Sequence, residues 1–82
     1  MEIYYTYILQ NPGKKFYIGQ TNNLSKRVLR HNTNTVKSTK NRGPWTIVHF
    51  ETYSTRANAM KREKQLKHWR RELIINLITS NM

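Results

Sequence analysis

The stretch KKFYIGQTNNLSKRVLRHN, Lys14 to Asn32, decides how the rest of the chain reads. Its first part, KKFYIG, is rich in aromatic and β-branched residues and predicts a strand. Thr21 or Asn22 can cap a following helix that runs to about His31, and Asn32 is a fair stop. At about 100° per residue, Leu24, Arg27, Val28 and His31 fall within an arc of about 100°. Leu24 and Val28 must face the sheet, so Arg27 and His31 lie along the same seam or at its edge. A guanidinium half-buried without an anion is costly. Taken singly, Arg27 could snorkel to the rim and His31 could be a satisfied neutral core histidine. Together, one turn apart behind a tyrosine-bearing strand, they point to a phosphate-facing pair.

Working outward, Ile3 to Gln10 (IYYTYILQ) reads as a strand. Asn-Pro-Gly-Lys at 11–14 is a turn, with proline setting φ and glycine free to take φ > 0. Lys15 to Gly19 returns, so the first two strands form a hairpin. Residues 33–44, TNTVKSTKNRGP, lack apolar periodicity and read as a polar loop ended by Pro44. Trp45 to Tyr53 alternates well enough to be a third strand. Ser54 or Thr55 caps a helix from Arg56 to about Lys67, with a break near Trp69. ELIINLI at 72–78 is a last apolar helical stretch, some of it free to meet a partner or a second copy of the chain. The order is β-β-α-β-α-α, without repeat or linker. It predicts one small α+β domain over residues 1–82.

Fifteen Lys and Arg oppose four carboxylates, for a formal charge of +11 on 82 residues. The basic residues are spread along the chain, with a dense stretch at Lys61–Arg71. Such a surface repels itself unless its partner is a polyanion, so nucleic acid is the leading candidate. A basic helix with a clean opposing apolar face, which an anionic membrane would require, is not visible. No apolar run approaches the roughly 20 residues of a membrane span, and the first ten residues lack a signal peptide's basic start. With no cysteine, disulfides, thiolate metal sites and a cysteine nucleophile are excluded. That is compatible with a reducing cytoplasm.

The carboxylates are Glu2, Glu51, Glu63 and Glu72, and there is no aspartate. A two-metal nuclease site needs several converging carboxylates, and a paired-carboxylate glycosidase is equally poorly supported. A hard-cation site must rest on one carboxylate, water and substrate phosphate, which suits Mg²⁺. Glu63 is the best placed. Ala59 and Leu66 flank it on one side of its helix and Met60 on the other, so it borders the apolar face. An ordinary i,i+4 pair with Lys67 is the competing reading. Tyr4, Tyr5, Tyr7 and Tyr17 are good strand residues in any case. Tyr5 and Tyr7 share a face by alternation, and whether Tyr17 joins them depends on the turn register.

At Tyr5-Thr6-Tyr7, Tyr17-Ile18-Gly19, Arg27, His31 and the helical Glu63, the chain resembles the GIY-YIG endonuclease superfamily, most closely its small single-domain branch. The resemblance spans nearly the whole chain through YYTYILQ, KKFYIGQTNNLSKRVLRHN, STKNRGPW and MKREKQLKHW. The first motif is YTY, so the glycine and isoleucine of the family name are replaced, although its tyrosine remains. The resemblance implies a three-stranded antiparallel sheet flanked by helices and a Mg²⁺-dependent phosphodiesterase, with Mn²⁺ as an alternative ion. It implies that Tyr17 lies beside the attacking water as its general base and that Tyr7 shares the site. Arg27 would bind the scissile phosphate, His31 would arrange the water and tyrosines, and Glu63 would hold the metal. Lys40, with Arg42 beside it, falls where members carry basic side chains near the phosphate.

The expected activity is endonucleolytic cleavage of DNA, structure-selective with little sequence specificity, in repair or recombination. Phosphate contacts position a protein without specifying sequence. The base is the difficult part: a free phenol has a pKa of about 10, which a nearby cation lowers and burial raises. Tyr17 as base and Tyr17 as water-orienting group, with His31 or solvent taking the proton, both stay open. The rival classes are a non-catalytic nucleic-acid-binding module and an interaction module that uses residues 72–78.

Overall fold

The computed structural model describes residues 2–80. Its elements are β1 (Tyr4–Gln10), β2 (Phe16–Thr21), α1 (Leu24–Asn32), β3 (Thr46–Tyr53), α2 (Arg56–Leu66) and α3 (Arg71–Thr79). The three strands form one antiparallel sheet in the order β2-β1-β3. This is the α+β architecture and the element order read from the sequence.

The central position of β1 organises the core. Thr6, Tyr7, Ile8 and Leu9 are all fully buried. Alternation sends Tyr7 and Leu9 to one face, where they pack with Trp45, Tyr17, Leu24 and Val28. It sends Ile8 to the other, where Leu66, Ile74, Phe16, Ile18 and Val48 gather. The domain therefore has two half-cores, one on each side of a single sheet. Thr6, on the second face, is satisfied by donating to the carbonyl of Ala59 in α2 at 2.7 Å. Leu9 pairs with Ile47 and Ile8 with His49, so a bulge at Val48 interrupts the alternation expected of β3.

The hairpin forms as read, but its strained residue is not the glycine. Lys14 has φ 67°, and no glycine has positive φ. The amide of Lys14 bonds to the Asn11 carbonyl at 3.0 Å, and the Asn11 side chain accepts from the Lys15 amide at 2.9 Å. Pro12 and Gly13 thus occupy the centre of a turn of negative φ, and the left-handed residue follows it. The C-terminal apolar stretch is only partly consumed by the core. Ile74 is buried and Leu77 and Ile78 pack on the Ile8 cluster, while Leu73 and Ile75 face outward. Among the described residues no helix is long and apolar enough to cross a membrane.

Gly19 is set by packing. It pairs with Tyr7 across the hairpin, and the Tyr7 ring lies over its Cα. A Cβ there would fall 2.5 Å from the Tyr7 hydroxyl and 2.7 Å from Cζ. Gly19→Ala must push the ring away, so it is expected to destabilise the fold by about 1–3 kcal/mol. A lower urea midpoint at unchanged m-value would show it.

Candidate active site

The helix α1 is capped one residue after Asn22 and two after Thr21, the two caps read from the sequence. The Asn23 side chain accepts from the Lys26 amide at 3.0 Å and is the cap. Thr21 is instead the last residue of β2, and its hydroxyl bonds to the Asn23 backbone. This small turn swings α1 back across the first face of the sheet. His31 becomes the buried residue of the helix, and Arg27 is half-buried one turn earlier.

A single hydrogen-bonded chain joins these residues. Arg27 Nε donates to the Tyr7 hydroxyl at 3.3 Å. The Tyr7 hydroxyl lies 3.0 Å from His31 Nε2, and His31 Nδ1 lies 2.8 Å from Thr39 Oγ1. The Thr39 hydroxyl donates onward to the Val36 carbonyl at 3.4 Å. Donor counting assigns the protons. Thr39 gives its proton to Val36, so it accepts from His31 Nδ1–H, and the free lone pair on Nε2 accepts from Tyr7. Tyr7, His31 and Thr39 are each 0% exposed, and no buried side-chain polar atom among the described residues lacks a partner.

Thr39 is the residue that sequence reasoning missed. It lies in the stretch read as a structureless polar loop, which contains a 3₁₀ turn over Lys37–Thr39. Trp45 anchors that loop. Its indole donates to the Thr39 carbonyl at 3.2 Å, and the Asn32 side chain binds both the amide and the carbonyl of Trp45. A threonine two residues before a positively charged turn carries no periodic signal. Only the STK string around Lys40 marked the place.

The turn register puts Tyr17 opposite Leu9, hence on the same face as Tyr7. The Tyr17 ring centroid is 4.7 Å from His31, 6.4 Å from Tyr7 and 6.5 Å from Trp45. Tyr17 is half-buried, so of the two phenols it is the one with surface toward solvent. The hydrogen bond to Tyr7, with the Tyr17 phenol nearby, helps Arg27 hold its proton. Burial pushes the Tyr7 hydroxyl up to about 12, against the lowering pull of Arg27. Burial, followed by the charges of Arg27 and Arg30, brings His31 down to about 4. Both are therefore neutral at pH 7, as the hydrogen-bond chain requires.

Glu63 lies on α2, near enough for its charge to add to the rise at Tyr7. Its carboxylate is 2.7 Å from Lys67 Nζ, so the i,i+4 pair is formed. Met60, expected beside it on the apolar face, points outward. Among the described residues no three His, Asp or Glu side chains converge on a point that could hold a metal. Lys40 and Arg42 are exposed on the loop that carries Thr39. They do not line the cleft next to Arg27. That cleft, of about 330 Å³, is lined by Gln20, Thr21, Asn22, Asn23, Lys26, Arg27, Arg30 and Arg56.

Glu51, one of the other carboxylates, is held on the opposite face of the sheet. Arg62 grips it with two bonds of 2.8 and 3.1 Å, and Tyr53 and His49 add bonds of 2.7 and 2.9 Å. Burial opposes its ionisation, but these donors outweigh burial and bring it down to about 2.

Comparison with known proteins gives the chain its relatives. The GIY-YIG catalytic domain matches residues 3–76. A UPF0213 protein of Clostridium perfringens is 39% identical over 77 residues, covering 93% of this chain and 83% of that protein. A UPF0213 protein of Haloquadratum walsbyi is 36% identical over 72 residues, covering 87% and 81%. The solution NMR structure of a UPF0213 protein from Bacillus halodurans superposes with a TM-score of 0.61 at 28% identity, covering 94% of this chain and 83% of that one.

The electrostatics separate two acid transitions. His31 is neutral in the fold and has an ordinary value of 6.5. Between pH 6.5 and 4 the unfolded chain therefore binds the extra proton, and stability falls as pH falls through that window. Glu51 adds a second loss between its ordinary 4.5 and about 2. His31→Gln is expected to be less stable at pH 7.5 yet to lose the first decline while keeping the second, as urea titrations across pH would show. Thr39→Val keeps the volume but removes the acceptor for His31 Nδ1–H. It should cost about 1–3 kcal/mol at pH 7.5 in the same titrations.

Proposed function

This chain belongs to the GIY-YIG family, and on that premise we propose that it is a divalent-metal-dependent endonuclease that hydrolyses phosphodiester bonds in DNA. The observation that carries the reading is the state of Arg27. Its Nε is tied to the buried Tyr7 hydroxyl, and its side chain lines a cleft that contains no carboxylate. The two terminal nitrogens of the guanidinium suit a phosphate, to which arginine makes charge-assisted, bidentate bonds. In this reading the counter-ion of Arg27 is the scissile phosphate.

The other residues divide by exposure. Tyr7 and His31 have no surface, so they are positioning residues that fix the angle of Arg27 and the packing of Tyr17. Tyr17 is half-buried with its ring beside His31, and it is the group assigned to orient and deprotonate the attacking water. His31 is a poor alternative base, because its Nε2 is engaged by Tyr7 and its pKa is brought down to about 4.

Glu63 fits a single-carboxylate ion site. Its side chain is 21% exposed, and its partner Lys67 is half exposed, so the ion pair faces solvent and an ion can compete for the carboxylate. Mg²⁺ characteristically binds through one or two carboxylates, water and substrate phosphates, and Mn²⁺ fits the same donors. When bound, the ion supplies charge stabilisation to the departing 3′ oxygen. The exposed Lys40 and Arg42 are assigned to flanking phosphates. With a recognition surface made of phosphate contacts, the enzyme selects DNA structure above sequence, which suits intermediates of repair or recombination.

The ion pair between Glu63 and Lys67 favours one other reading, a nucleic-acid-binding module without catalysis. Nicking of supercoiled plasmid separates the two. Wild type is expected to nick with Mg²⁺ or Mn²⁺ and not with EDTA. Glu63→Ala should abolish nicking, and Arg27→Ala should slow it by about 10²–10³-fold. Equal cutting by wild type and Glu63→Ala would mark a contaminating nuclease and remove the site assignment. Tight, salt-sensitive binding with no cutting would establish the binding module.

A further inference from the structure

The cleft beside Arg27 is more basic than gripping one phosphate requires. Lys26, Arg27 and Arg30 lie within one turn of α1, and Arg56 comes from the start of α2. Like charges at i,i+3 and i,i+4 on a helix repel, and here a fourth cation faces them. The ion pairs of the described residues lie elsewhere, between Glu51 and its partners and between Glu63 and Lys67. Arg56 is also placed and not merely present. Its NH1 donates to Gln20 Oε1 at 3.1 Å, and its guanidinium lies 4.8 Å from the centre of the Tyr4 ring. The Thr21 hydroxyl is occupied by the Asn23 backbone, and the remaining lining is the side-chain amides of Gln20, Asn22 and Asn23. These groups bond to phosphate oxygens without reading a base.

We propose that this cleft is a second phosphate subsite, which holds the backbone of the same nucleic-acid strand next to the phosphate gripped by Arg27. The proposal rests on the reading of Arg27 as a phosphate ligand. Arg27 lines this cleft and is also the residue assigned to the scissile phosphate, so the two subsites share its guanidinium and the backbone passes from one to the other along α1. Lys26 and Arg30 supply the neighbouring contacts from α1, and Arg56 closes the cleft from the far side. The consequence is directional. The enzyme engages nucleotides on the α1 side of the cut, so a strand that ends at the scissile phosphate on that side binds more weakly than one that continues.

The test is the salt dependence of binding to a fluorescein-labelled DNA duplex, followed by anisotropy in EDTA so that no cutting intervenes. Each phosphate contact contributes about 0.9 to the slope of log K against log salt on duplex DNA. Lys26→Ala/Arg30→Ala should reduce the slope by about 1–2, and Arg56→Ala should reduce it further. The control Lys61→Ala/Arg70→Ala removes the same charge from exposed positions outside the cleft and should leave the slope within about 0.5 of wild type. Circular dichroism confirms that each variant is folded. An unchanged slope in Lys26→Ala/Arg30→Ala, or an equal fall in the control, overturns the subsite. The nuclease reading fails separately: a wild type that binds with the expected slopes but never nicks plasmid retains the subsite and loses the enzyme.

Discussion

The Tyr7 hydroxyl is the point on which the site depends. It accepts from Arg27 and donates to His31, and it can do both only if His31 presents a lone pair. That in turn requires Nδ1 to carry the proton and Thr39 to accept it. Thr39 is in place because Trp45 and Asn32 clamp its loop. The ring itself reaches this position across a residue with no side chain. The chain of bonds is buried, where a half-satisfied polar group is more costly than none. Each member is therefore held by its neighbours, and the exposed end of Arg27 inherits that rigidity.

The two faces of the sheet carry opposite electrostatic solutions. On one, Glu51 is enclosed by Arg62, Tyr53 and His49 and serves the fold. On the other, cations gather around Arg27 without a carboxylate in the cleft. A chain with fifteen basic residues and four acidic ones cannot neutralise itself. The little negative charge available on the sheet is committed to the face away from Arg27. Four of the fifteen cations thus line a cleft where a polyanion can approach.

Local pattern made some of this legible and left some of it hidden. Helical periodicity was enough to put Arg27 and His31 on the buried stripe with Leu24 and Val28, because their spacing is a property of one helix. The cap of that helix falls beyond both Thr21 and Asn22, at Asn23, since Thr21 is drawn into the end of β2 by pairing with Tyr5. The turn glycine was read from its conformational freedom, yet the left-handed residue is Lys14, because the strand pairing sets where the turn must end. Thr39 had no periodic signal. Its role arises from a loop folding back on α1, and a loop has no period to read.

The sequence by itself determined the α+β element order, the division of β1 between two faces, the basic character of the surface and the shortage of carboxylates. These follow from composition and from periods of 2 and 3.6 residues, which act over a few neighbours. Only the tertiary structure decided that Tyr17 shares a face with Tyr7, that His31 is neutral with its proton on Nδ1, and that Gly19 makes room for a ring. It also brought Arg56 from a distant helix to face Lys26 and Arg30. Each of these depends on strand register or on two segments far apart in the chain meeting at hydrogen-bond distance, and no local pattern encodes such a meeting.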